Sequence, residues 1–128
     1  MAGFSDDLEE AILNVTLRNI PYTSPVTVYL SLHSADPGDT GANELAAANG
    51  YARNACAFDA PSGGVCANSA DETFTASGAD WSAATHFGIW DASTAGNCLY
   101  SGSLASPRTV TDGETATISA GDLTVTVT

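Results

Sequence analysis

Asp80-Trp81, a short Ser-Ala-Ala link, and then Thr85-His86-Phe87-Gly88-Ile89-Trp90-Asp91 is the stretch that decides the fold. Gly, Ser and Asp bracket it on both sides, and it holds much of the chain's large aromatic surface. Alternation puts Phe87 and Ile89 on one face and His86 and Trp90 on the other, the period of a β-strand. One of these faces must be less buried unless a neighbour, such as a neighbouring subunit, covers it. The stretch is read as the central strand of a sandwich, with Trp81 at its flanking corner.

The neighbouring segments read the same way. Val26, Val28, Leu30 and Leu32 share one face of a strand over 26–32. A long loop over 33–50 follows, opened by the turn signal Asp36-Pro37-Gly38-Asp39. Leu45 to Ala48 is expected to form one helical turn inside it. Further strands are expected over 51–58, 65–68, 73–75, 85–90, 97–104 and 115–119, with a last one over 123–128. Leu123, Val125 and Val127 share one face of that last strand. Only the N-terminus has a helical period. Ser5 is an N-cap, acidic residues fill the first turns, and Leu8, Ile12 and Val15 recur at helical spacing until Pro21. A helix over 5–20 followed by short strands and Gly/Asp turns predicts a single domain over 1–128. It is mainly β, an antiparallel β-sandwich or jelly-roll-like body over 26–128 with one N-terminal amphipathic α-helix.

Composition narrows the function. Of 128 residues, 15 are Asp or Glu and three are Arg (Arg18, Arg53, Arg108), with no Lys, for a net charge of −12. Such a chain repels nucleic acid and anionic membrane, so neither is an expected partner. Met1-Ala2-Gly3-Phe4 leads into acidic residues without a basic or apolar leader, so a secretion signal is not expected.

Chemistry is thinly supported. Cys98, His86 and Asp91 could be drawn into a catalytic set, but no spacing supports one, and the chain is not expected to be an enzyme. His33, His86 and a cysteine lack zinc spacing. Asp36, Asp39 and Glu44 share a Gly-containing loop that could attract calcium but do not match an EF-hand. No cofactor or metal is expected. Trp81, Phe87, Trp90 and Tyr100 could form a sugar-stacking platform, or could be core. Cys56 and Cys66 flank the turn around Pro61. A strand pair in register about that residue would set them opposite one another, where a disulfide is geometrically possible; small buried thiols are the favoured reading.

An ordered series of fragments resembles small virion structural proteins of tailed bacteriophages. It includes Tyr29-Leu30-Ser31-Leu32-His33 with Ala35-Asp36-Pro37-Gly38-Asp39, then Gly50-Tyr51-Ala52-Arg53 and Ala60-Pro61-Ser62-Gly63-Gly64. Asp80-Trp81 with Thr85 to Asp91, Gly96-Asn97 with Leu99-Tyr100, and Ala120-Gly121-Asp122-Leu123 complete it. The resemblance implies a virion component, made in the host cytoplasm, and carries over no catalytic residue. Such proteins serve as head decoration (cement) proteins or as tail-fibre-like proteins. With no room for a fibre shaft, the expected role is a cement protein on the outer capsid surface, bound to the major capsid protein. A homo-oligomer is expected, a trimer by analogy with cement proteins. A tail or baseplate adaptor and a glycan-binding module are the alternatives. Leu8 and Ile12 on the helix, Tyr51 and Arg53 after the loop, and Trp81 and Trp90 are the candidate contact residues.

Overall fold

A computed structural model describes residues 3–127. Strand β1 (Gly3–Phe4) leads into helix α1 (Asp6–Leu17). Eight strands follow: β2 (Val28–His33), β3 (Asn54–Cys56), β4 (Val65–Ala67), β5 (Glu72–Thr75), β6 (Ala84–Trp90), β7 (Cys98–Arg108), β8 (Thr115–Ile118) and β9 (Thr124–Thr126). The final position of the strand expected over 123–128 lies outside the described residues, as do Met1 and Ala2.

The Phe87–Trp90 strand is central, as expected, and both its faces are covered within the chain itself, with Phe87, Ile89 and Trp90 all buried. β6 sits in the middle of a five-stranded sheet of order β1-β7-β6-β2-β3, paired antiparallel with β2 on one side and β7 on the other. Leu30 lies opposite Ile89, and Leu32 opposite Phe87. These four side chains join Phe74, Ile118 and Val125 in one buried cluster. The strands of the latter three residues belong to two separate antiparallel pairs, β5–β8 and β4–β9. The second layer of this sandwich-like body is thus two short ribbons rather than one continuous sheet. Tyr51 and Trp81 close one part of the core, ring edge to ring face at 5.4 Å between centroids.

Helix α1 begins where the sequence places it. Ser5 Oγ accepts from the Leu8 amide at 3.2 Å, and Asp6, Asp7 and Glu9 occupy the first turn. It ends earlier than expected, because Asn19 takes a left-handed conformation (φ 54°) and the Ile20 amide turns back to the Asn14 carbonyl. Of its apolar positions only Leu8 is buried; Ile12 is half-buried, and Leu13, Val15 and Leu17 face outward. The expected turn at Leu45 to Ala48 is not helical; its place is taken by an isolated bridge between His33 and Glu44 that ties the loop to β2. The strand expected over 51–58 shortens to β3, since Tyr51 and Arg53 turn aside to hold that loop.

The cysteines do not pair. The strand pair about Pro61 sets Phe58 opposite Asn68, and Asp59 bonds Ala67, so the register differs from the one that would align the two thiols. Cys56 lies opposite Val28 and Cys66 opposite Val125, on different sheets, and all three cysteines are free.

Candidate interaction surface

Five of the six candidate contact residues have side chains inside the molecule rather than on it. Tyr51 is 6 % exposed, Trp81 8 %, Trp90 7 % and Leu8 7 %. The Arg53 side chain is 7 % exposed. They are therefore not a ready-made contact surface, and Trp81, Phe87 and Trp90 of the aromatic platform are core, with Tyr100 half-buried against it. The Trp81 indole donates to the Asn49 carbonyl at 2.8 Å. Trp90 lies beneath the guanidinium of Arg53, 3.7 Å from its ring centroid.

Arg53 organises the loop after β2. Its Nε and Nη2 donate to the two carboxylate oxygens of Glu44 at 2.9 and 2.8 Å, and its Nη1 donates to the Ala92 and Ala95 carbonyls. The Tyr51 hydroxyl donates to Glu44 and accepts from the Leu32 amide, and burial pushes its pKa well above the usual range. Burial would raise the Glu44 carboxyl as well; the hydrogen bonds from Arg53 and Tyr51 and the Arg53 charge outweigh it and hold Glu44 below its ordinary value. Gly41 completes the cover. It has φ +78°, and a Cβ there would meet the Trp90 ring at 2.5 Å, so only glycine lets the loop lie on the indole.

Beneath this loop the polar groups of β2 and β6 satisfy one another. His33 Nδ1 lies 2.7 Å from the Ala42 carbonyl, which can only accept, so the neutral ring carries its proton there. Nε2 then accepts from the Ser31 hydroxyl at 2.7 Å, and Ser31 accepts from the Trp90 indole at 2.8 Å. Burial lowers the His33 pKa and favours this neutral form. Gly88 fits between them, since a Cβ would stand 2.7 Å from Ser31 Oγ.

This arrangement is structural. The three groups of the conceivable catalytic set are separately engaged. His86 Nδ1 is bonded to Thr85 Oγ1, Asp91 accepts from the Asn97 amide, and burial pushes the Cys98 thiol up to about 11. Glu44 is committed to Arg53, while Asp36 caps its own turn at Gly38. No cluster of three or more His, Cys, Asp or Glu able to hold a metal occurs among the described residues. No helix among them is long and apolar enough to cross a membrane.

The surface with interaction chemistry lies elsewhere. An apolar groove of about 460 Å³ opens between the β6–β7 part of the sheet and the β4–β9 ribbon, lined by Val28, Phe58, Val65, Cys66, Tyr100 and Val127 among others. The segment that leaves α1 is also apolar and exposed. Leu17 is 76 % exposed, Val26 103 %, and Leu13, Val15, Ile20 and Tyr22 are exposed as well. Tyr22 adjoins the groove wall: the Tyr100 hydroxyl is raised first by burial and then by the nearby Tyr22 and Cys66. Large apolar side chains left exposed close together in the chain mark a contact surface. Sequence reading missed this one because helical periodicity reports an apolar face without saying whether the body covers it.

Residues 3–126 match the family model described as podophage GP4 fiber I protein gp80. No curated protein matches the chain. The match spans nearly the whole chain, so the chain belongs to this family. It is a fibre-related structural protein of a bacteriophage virion.

Proposed function

From membership of that family, we propose that the chain is a non-enzymatic structural subunit of a phage fibre, held in the particle through its exposed apolar face. The match over residues 3–126 to a family described as a fibre protein carries this reading. The interior supports it: the buried histidine, arginine and tyrosine are spent on fixing a loop over Trp90. Rigidity of this kind suits a part that must hold its shape in an assembly.

A second reading is the capsid cement protein expected from the sequence, bound as a homo-oligomer, trimeric by analogy, on the outer surface of the major capsid protein lattice. Its support is the small β body and a net charge of −12, which suits an exterior coat. A tail or baseplate adaptor is the corresponding role nearer the tail. The glycan-binding alternative has lost its motivation, because Trp81 and Trp90 are buried.

Quantitative gel densitometry of purified virions separates the first two readings. A fibre subunit should be present in few copies relative to the major capsid protein. A copy number comparable to that protein would refute the fibre assignment and select the cement role.

A further inference from the structure

In a chain of net charge −12, charged side chains are unevenly placed. Residues 11–35 contain no acidic residue and one charge, Arg18; residues 60–70, 92–107 and 123–128 contain no charged residue at all. Folding brings these four stretches to one place. The groove takes Val28 from the first, Val65 and Cys66 from the second, Leu99 and Tyr100 from the third, and Val125 and Val127 from the fourth. The exposed segment from Leu17 to Val26 belongs to the first stretch as well. The groove lining is thus apolar and free of charge, and the exposed apolar segment from Leu17 to Val26 carries only Arg18. Depletion of charge with retention of aliphatic and aromatic side chains is the composition of an interface centre.

We propose that this groove is an interface between copies of the chain, with the apolar ridge from Leu17 to Val26 of one copy seated in the groove of another. Groove and ridge offer a basic partner few carboxylates to hold, whereas they offer a second copy both a knob and a hole. The one charge on the ridge, Arg18, also has a natural counterpart: Asp59 is exposed directly after Phe58, a groove-lining residue. Acidic charge on the rest of the body would keep such an assembly soluble and discourage other contacts. The inference deepens the structural-subunit reading and rests on it for the expectation that copies meet in a particle.

The test is sedimentation equilibrium of the full chain at tens of micromolar, with Val26→Asp and Leu17→Asp as variants. Both positions are exposed, so the isolated fold should persist, which far-UV circular dichroism checks. Cys66 reports on the groove through its rate of maleimide labelling, since Cys56 and Cys98 are buried. The expected result is a self-associating wild type with slow Cys66 labelling. Each variant should weaken association at least ~10-fold and release Cys66. A monomeric wild type would overturn the proposal, as would association that neither variant weakens. A loss of association that leaves Cys66 labelling slow would overturn it too, because the ridge would then seat elsewhere. None of these failures bears on the chain's location in the virion, which is read on the particle.

Discussion

Replacing Arg53 with methionine removes the group that ties four parts of the chain together. The guanidinium holds Glu44 through two bonds, accepts the Trp90 face at 3.7 Å, and reaches the Ala92 and Ala95 carbonyls. Breaking a buried ion pair from one side costs about 3–5 kcal/mol, because the remaining charge is left uncompensated. The Glu44 side chain is 23 % exposed, so water recovers part of that, and ~2–4 kcal/mol is expected. Unfolding entropy of about 2.1 cal/mol/K per residue over 128 residues converts this to a fall in Tm of roughly 7–15 °C. The cost should depend on pH in a defined direction. Glu44 has a folded pKa below its ordinary 4.5, so its contribution is present above that value and lost as pH falls through the folded pKa. The gap between wild type and Arg53→Met should therefore narrow on acidification below about pH 4.5. The double variant Glu44→Gln/Arg53→Met should be more stable than Arg53→Met alone, because it leaves no orphaned carboxylate. Urea denaturation at pH 7 and pH 4 measures all three. A loss below ~0.5 kcal/mol at pH 7, or a loss unchanged between the two pH values, would refute the view that this pair pins the loop.

Other perturbations probe the same region. Trp90→Ala should destabilise by roughly 3–5 kcal/mol in urea titrations, since the indole is core and sits under the loop; an unchanged midpoint would show that the loop does not depend on it. Gly88→Ala should cost about 1–3 kcal/mol, because its Cβ would displace Ser31 or His33 from their hydrogen bonds; a neutral effect in thermal melts would refute the tight packing. His33 has a lowered folded pKa, so stability should fall as pH drops below the ordinary 6.5 toward the folded value. In His33→Asn that part of the pH dependence should vanish in denaturation series between pH 5 and 8, and a retained slope would assign it to another group. Under denaturing conditions all three thiols should react with a disulfide reagent, and in the native protein Cys56 should lag, its thiol pushed up to about 12 by burial and by Glu72; rapid native labelling of Cys56 would contradict its placement.

Much of the fold was legible because the relevant signals are local. Alternation around Phe87 and Ile89 located the central strand, and Ser5 located the start of the helix to the residue. What stayed hidden is decided by distant partners. Arg53 and Trp90 are far apart in sequence, so nothing local shows that one covers the other. Leu13 and Leu17 continue a helical apolar face, yet only Leu8 on the helix is buried and Ile12 half-buried. The cysteine pairing failed for a related reason: turn residues suggest a hairpin but do not fix its register, and the observed one sends the two thiols to different sheets. The interaction face was legible only in part. Its lack of charge is written in four separate stretches, and their convergence on one groove needs the fold.

The most direct measurement is cryo-electron microscopy of purified virions at a resolution that traces strands. The expected result is density for the nine strands and the short helix of the described residues within a fibre of the particle, with the exposed segment from Leu17 to Val26 buried in a contact. A particle whose fibres contain no such domain, or a virion without the chain, would contradict the assignment.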